Sequence, residues 1–363
     1  MAEIPFLLGV AVLNQTVRGT PTTMATIGAG AGTAGAIDNV TDGAVLGDAN
    51  SGVGSSGISI SLGKKITEKA VLTGSYTRDF ANFVSRTVEA FDIVIPLKGN
   101  GETTTGTPVA ADFTPDIGIV ALLRAAGLAG SASAALWRFI PASTDLITAA
   151  LYFGDVGNNG GRVILEDVEA DSLTLAFTPG EAATAAFALS GVFSSHDEGG
   201  TWGANPFQYA NQASLSAPAV KSVAFTWGPD TPAARSIGFS DLSITIDNDA
   251  EVVPSSNATT GEVSKQNGRN ITITGTIDAV SGEILYEIDQ LGESLIANAE
   301  QLVFTVGTVA TGADTANAYR ITVDDPELVK LDQADPLGNS QAWTIELRAR
   351  SAAANGEFKL DYL

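Results

Sequence analysis

The chain has 363 residues, 44% hydrophobic and 17% charged, with 19 Lys plus Arg against 41 Asp plus Glu, a formal net charge of −22. That length favours two domains over one core, and the apolar fraction excludes a disordered chain. So acidic a surface disfavours tight nucleic-acid binding, which needs Lys and Arg to displace counterions from phosphates, though DNA passing by without being held is compatible with it. The lack of cysteine excludes disulfides and Cys-ligated metal sites.

In chain order, "IPFLLGVAVL" (residues 4–13) has no basic residue before it and is too short to span a bilayer, so it reads as a buried strand. Residues 26–57 are Gly- and Ala-rich and read as an extended loop or arm. Within them "GAGTAG" (Gly30–Gly35) matches the dinucleotide fingerprint by letter. It is followed by turn formers instead of a helix start, so it reads as a flexible loop. "GISISLG" sets Ile58, Ile60 and Leu62 on one face and Ser59 and Ser61 on the other. A polar stretch from Lys64 to Arg86 precedes the strand "EAFDIVIPL". "TPDIGIVALLRAAGL" predicts a helix with Thr114 as cap, Pro115 at its first position and Gly127 near its end. "ALWRFIPA", "LITAALYFG", "GRVILED", "SLTLAF" and "AATAAFALSG" then read as strands, the last two joined by a tight turn at "TPGE". His196, the sole histidine, lies in "SSHDEGG", which reads as a surface turn. One histidine does not supply a catalytic triad or a histidine metal pair.

Residues 201–219 are rich in Gly, Asn, Pro and Ser and read as a linker between a first module (1–200) and a second (220–363). The second module repeats the order of the first. "DLSITIDND" alternates, a polar stretch from Asp249 to Gly268 follows, and "GRNITITGTIDA" puts Ile271, Ile273 and Ile277 on one face. Its other face carries Asn270, Thr272, Thr274, Thr276 and Asp278. A helix capped by Ser281, with Ile284, Ile288, Leu291 and Leu295 on one side, is predicted next. The strands "LVFTVGTV", "AYRITVDD" and "AWTIELRARS" close the chain. Even "RVILEDVEAD" and "RITVDDPEL" correspond. Each module is therefore expected to be a β-sandwich or half-open barrel with one packed helix.

Other motifs carry little chemistry. "DNDAE" (Asp247–Glu251) and "DDPELVKLDQADPLGN" (Asp324–Asn339) resemble pieces of calcium loops but lack the spacing that wraps one ion, and read as solvated turns. Four sequons, at Asn14, Asn39, Asn257 and Asn270, matter only in a secreted protein. Trp137, Trp202, Trp227 and Trp343 lie mostly in strand-like runs and suit core packing. No carboxylate pair stands out among 41 acids, so neither an enzyme nor a cofactor site emerges.

A helix-decorated β-sandwich built twice, with long polar loops between strands, resembles the major tail tube protein of long-tailed, siphovirus-like bacteriophages. The resemblance is carried by "SITIDNDAEVVPSSNATTGEVSKQNGRNITITGTI" and "RVILEDVEADSLTLAFTPGEAATAAFALSGVF". It implies a structural virion protein, made in the bacterial cytoplasm, whose modules form six-fold rings stacked into a tube that conducts DNA. With two modules per chain, three chains would close a pseudo-six-fold ring. The implied partners are further copies of the chain, other tail proteins at the tube ends, and DNA that passes without specific binding, with no membrane. The implied lumen residues are Ser59, Ser61, Asp92, Thr272, Thr274, Thr276 and Asp278. The implied ring-stacking loops contain Lys64, Lys65, Glu68, Lys69, Arg78, Asp79 and Arg86 in the first module, and Asp249, Glu251, Glu262 and Lys265 in the second. Two other classes fit the patterning: a tandem β-sandwich surface or adhesion protein, which needs an export signal, and a secreted carboxylate hydrolase, which needs a cleft.

Overall fold

Alternating apolar and small polar residues dominate the chain, and the structure is mainly β, with one α-helix among the described residues. The computed structural model describes residues 6–15, 18–20, 44–46, 58–61, 66–71, 79–84, 88–97, 99, 117–133, 136–143, 145–155, 161–198, 219–220, 223–227, 235–254, 262–266, 268–277, 301–308, 317–333, 342–350 and 356–363. The first half runs β1 (Phe6–Asn14), β2 (Ala44–Leu46), β3 (Ile58–Ser61), β4 (Ile66–Val71), β5 (Asp79–Val84), β6 (Val88–Pro96), α1 (Ile117–Ala125), β7 (Leu128–Ser133), β8 (Leu136–Pro141), β9 (Ile147–Asp155), β10 (Gly161–Phe177) and β11 (Thr184–Glu198). The second runs β12 (Val223–Trp227), β13 (Arg235–Asp247), β14 (Ala250–Pro254), β15 (Glu262–Gln266), β16 (Asn270–Ile277), β17 (Gln301–Thr308), β18 (Asn317–Asp324), β19 (Pro326–Gln333), β20 (Trp343–Ala349) and β21 (Phe358–Tyr362).

Every pairing among these strands is antiparallel. Eight of them make one sheet in the order β3-β6-β11-β10-β13-β16-β20-β19. It consists of two four-stranded runs of identical connectivity, β3-β6-β11-β10 and β13-β16-β20-β19. They join where Ser172 to Phe177 of β10 pair with Asp247 to Leu242 of β13. The remaining long strands repeat too. β1 pairs β9, β9 pairs the first part of β10, and that part pairs the end of β11. Correspondingly β12 pairs β17, β17 pairs β18, and β18 pairs β21. β21 also pairs β8, a second hydrogen-bonded join between the halves.

The passage from one set of strands to the other is made at a left-handed aspartate in each half. Asp167 (φ 51) lies inside β10, and Asp325 (φ 49) lies between β18 and β19. Aspartate tolerates this region better than most residues with a side chain. These are the aspartates at matching places in "RVILEDVEAD" and "RITVDDPEL". "GRVILED" and "SLTLAF" are thus one bent strand and not two.

The predicted polar loops contain structure. Within 64–86, β4 pairs β5, and within 249–268, β14 pairs β15, so each stretch carries a two-stranded ribbon. Between the pairs Ser61–Ala90 and Ile66–Val84, the returning strand has one residue more than the outgoing one. The same holds between Asp247–Asn270 and Ala250–Gln266.

Two further expectations are corrected. His196 sits in β11 opposite Val163 instead of in a surface turn, because the alternation of β11 continues to Glu198. "DDPELVKLDQ" is not a solvated turn: Leu328 and Leu331 pack on the core, and β19 forms around them. The linker up to residue 218 and the predicted helix after Ser281 lie outside the described residues.

The predicted first helix forms as α1 because Ile119, Leu122, Leu123 and Ala126 recur on one face, all buried. Gly127 (φ 79) ends it, and Arg124 in its last turn bonds Asp145 at 2.7 Å. One apolar cluster runs through both halves, from Val12 and Phe91 to Ile273 and Tyr362. Phe177 of β10 meets Phe304 of β17 edge to face at 4.9 Å, tying the eight-stranded sheet to the strands behind it. Each such side chain contributes roughly 1.5–3 kcal/mol when fully buried.

Candidate functional site

The eight-stranded sheet is two-faced. On β16 the buried residues are Ile271, Ile273, Gly275 and Ile277, while Asn270 and Thr274 are exposed and Thr272 and Thr276 half-buried. The same alternation holds on β10, where Leu173, Leu175 and Phe177 are buried between Ser172, Thr174 and Ala176. It holds again on β13, with Leu242, Ile244 and Ile246 buried between Asp241, Ser243, Thr245 and Asp247. Directly paired residues share a face, so the register defines rows across the sheet.

One row reads Ser59, Asp92, Ala188, Ser172, Asp247, Asn270. The next reads Val94, Ala186, Thr174, Thr245, Thr272, Arg348, Glu327. A third reads Pro96, Thr184, Ala176, Ser243, Thr274, Glu346, Lys330. Thus Ser59, Asp92, Thr272 and Thr274, which come from both halves of the sequence, occupy one continuous face. Ser61 pairs Ala90 and Thr276 pairs Asp241, which assigns them to that face as well. Asp278 lies outside the described residues.

The face is small, polar and acidic. Thr174 and Thr245 share a hydroxyl hydrogen bond of 3.3 Å across the join of the two halves. Asn270 donates to the Thr272 hydroxyl at 3.2 Å, and Thr276 N–H donates to Asp241 at 2.9 Å. Among the described residues it carries Asp92, Asp171, Asp241, Asp247, Asp332 and Glu346 against Arg348 and Lys330. Lys330 is paired with Asp332. Burial pushes the Asp171 carboxyl above its ordinary range; the Ser190 hydroxyl, 3.0 Å away, opposes this, and the charges of Asp247 and Asp92 add to it. Val94, 40% exposed, is an apolar exception.

The loop candidates divide. Glu68 and Lys69 lie in β4, opposite Asn82 and Ala81, and Asp79 begins β5. Glu251 of β14 stands opposite Lys265 of β15, and Glu262 opposite Pro254. Asp249, exposed and left-handed at φ 44, starts the second ribbon with its N–H on Asp247 Oδ1 at 3.1 Å. Lys64, Lys65, Arg78 and Arg86 lie outside the described residues.

Sequence reasoning missed the middle of the face: Ser172 and Thr174 on β10, Ser243 and Thr245 on β13, and Thr344 and Glu346 on β20. Their strands were legible as alternating, but nothing local says that β10 and β13, about 70 residues apart, lie side by side. Comparison with family models and with curated proteins gave no match to this chain.

Proposed function

We propose that the chain is a structural virion protein that polymerises into stacked rings forming a phage tail tube, with the acidic face of the eight-stranded sheet turned to a lumen that conducts DNA. The observation that carries this reading is the join of two like-connected four-stranded runs into one sheet with an unbroken polar face. Two such units per chain fit three chains in a pseudo-six-fold ring. DNA carries about one negative charge per 1.7 Å of axis, so a bore poor in Lys and Arg offers it no counterion-releasing grip. The ribbons β4–β5 and β14–β15, each continuing a hairpin of the sheet, are the segments assigned to the neighbouring ring, and the chain needs no cofactor for this role.

The test is negative-stain microscopy of the purified full chain over a range of concentration. Rings or tubes of uniform bore are expected. Elongated monomers at every concentration would overturn the reading and favour a tandem β-sandwich surface protein.

A further inference from the structure

The join between the halves is a worked example of how one four-stranded run attaches to another. Its parts can be matched position by position. Ser59, Asp92, Ala188 and Ser172 follow one another across the first run. Ser243, Thr274, Glu346 and Lys330 do the same across the second. The match is anchored independently at the β10 and β19 side. Counting from the left-handed Asp167 and Asp325, the residue skipped by the ladder is Asp171 in one and Val329 in the other, four residues on in both. Hence Ser172, Leu173, Thr174 and Leu175 of β10 correspond to Lys330, Leu331, Asp332 and Gln333 of β19. At the other edge, Ile58, Ser59, Ile60 and Ser61 of β3 correspond to Leu242, Ser243, Ile244 and Thr245 of β13.

Among the described residues β3 and β19 each have one partner strand, so the sheet ends on an edge like β13 and an edge like β10. Exposed edges of this kind template pairing with another chain. At the internal join, the bulge residue Asp171 offers its carbonyl to the Asn248 N–H at 2.9 Å. Its counterpart Val329 is 52% exposed, the most exposed large apolar side chain among the described residues. The join also carries a stagger. The row through Ser59 arrives at Asp247, four residues beyond Ser243, the counterpart of Ser59. Four residues of offset per four strands is the ratio of a barrel whose shear equals its strand number, for which strands tilt about 36°. Repetition of this join therefore curves the sheet toward closure.

We propose that the β19 edge of one copy pairs antiparallel with the β3 edge of a second copy in the register of the β10–β13 join, setting Asp332 opposite Ser61 and Gln333 opposite Ile60. The proposal names the partner as the chain itself and rests on the ring reading for closure, but not for the pairing.

The chain has no cysteine, which makes oxidative cross-linking specific. Ser61→Cys and Asp332→Cys are combined in the full chain, with Thr174→Cys/Thr245→Cys as the corresponding pair inside one chain. Ser61 and Asp332 lie at opposite edges of the sheet, seven strand spacings or on the order of 30 Å apart, so a bond between them joins two copies. Under mild oxidation the internal pair is expected to give a monomer with shifted mobility. The edge pair is expected to give a ladder of covalent multimers, which neither single variant gives. Should the double variant not fold, the two single variants co-assembled are expected to give covalent dimers only. Rings or tubes without the cross-link, under conditions that oxidise the internal pair, would overturn the edge assignment and leave the ring reading standing. Cross-linked open filaments would support the pairing and overturn the ring. Uncross-linked monomers throughout would overturn both.

Discussion

Asp167 and Asp325 turn the same corner in the two halves, at φ 51 and φ 49, but are held differently. Asp167 is buried. Its Oδ1 accepts from Gln15 Nε2 at 2.5 Å and from the Gly19 N–H at 2.8 Å, and its own N–H donates to Gln15 Oε1 at 2.9 Å. Asp325 is only half-buried, and its backbone carbonyl accepts the Arg350 N–H at 3.2 Å. In the first half one strand runs through the corner, and in the second β18 ends there and β19 begins. What recurs is the backbone path and not the side chains that fix it. Strand pairing constrains face and register, and many side-chain sets satisfy both.

The halves diverge most at Asp361. β18 and β21 set Arg320 opposite Asp361, as β10 and β11 set Arg162 opposite Asp197. Only the second half adds a third member, Arg138 of β8, which binds the wholly buried Asp361 carboxylate at 2.7 and 2.9 Å beside Arg320 at 2.7 Å. Burial opposes its charge, but hydrogen bonds from Arg138 and Arg320 and their charges outweigh burial and hold its pKa below the usual carboxylate range. Asp361→Ala leaves two arginines unpaired at the join of the halves and is expected to cost about 3–5 kcal/mol, read from the urea midpoint. A depressed pKa stabilises the fold above the unfolded value, near pH 3.9, and that stability is lost as pH falls through the folded value. Asp361→Asn should therefore flatten the acid limb of stability against pH; an unchanged limb would show that other carboxylates control it.

The next contrast is Ile93 against Gly275, which hold corresponding core positions on β6 and β16. Ile93 is fully buried, whereas a Cβ on Gly275 would lie 2.7 Å from both the Asp241 carbonyl oxygen and the Phe239 ring. Phe239 fills in the second half what Ile93 fills in the first. Ile93→Ala is expected to cost about 2–5 kcal/mol through the cavity it leaves. Gly275→Ala, which adds one carbon, should cost about 1–3 kcal/mol through overpacking. If Gly275→Ala were neutral, the two positions would not be filled by alternative means.

The corners themselves give a smaller effect. Asp167→Gly suits the left-handed backbone but strands the buried Gln15 side chain and Gly19 N–H, at an expected cost of about 1–3 kcal/mol. Asp325→Gly removes no comparable network and should fall within about 0.5 kcal/mol of the parent. Equal losses at the two sites, by thermal or urea unfolding, would mean that side-chain support does not distinguish them.

Alternation made the strands and their faces legible. Ile271, Ile273 and Ile277 are buried where the sequence put them, and Thr272, Thr274 and Thr276 face away from the core. Pairing partners were not legible, since register depends on which distant strand arrives. The ribbon β14–β15 was hidden because "AEVVP" and "EVSKQ" pair with each other away from the main sheet, without a clear buried face. β19 was hidden because "PELVKLDQ" is an edge strand with Lys330 and Asp332 exposed, and edge strands lack the two-sided burial that makes a strand conspicuous.

The smallest effect on stability is expected on the polar face, and it tests whether both halves serve one bore. Asp92 and Thr274 hold corresponding positions there, both exposed. Asp92→Lys and Thr274→Lys should each change folding stability by no more than about 0.5 kcal/mol, because neither side chain leaves or enters the core. In a three-chain ring each substitution repeats around one circumference, close to passing phosphates. DNA ejection from particles carrying either variant should then slow at low salt. Asp92→Lys should slow it more, since it removes a negative charge and adds a positive one, whereas Thr274→Lys only adds. Phosphate contact releases counterions, and charge is screened within about 10 Å at 0.1 M salt, so both rates should return toward the parent as ionic strength rises. A slowing by Thr274→Lys alone would leave the first half outside the bore. Parental rates for both variants at every salt concentration would remove this face from the lumen altogether.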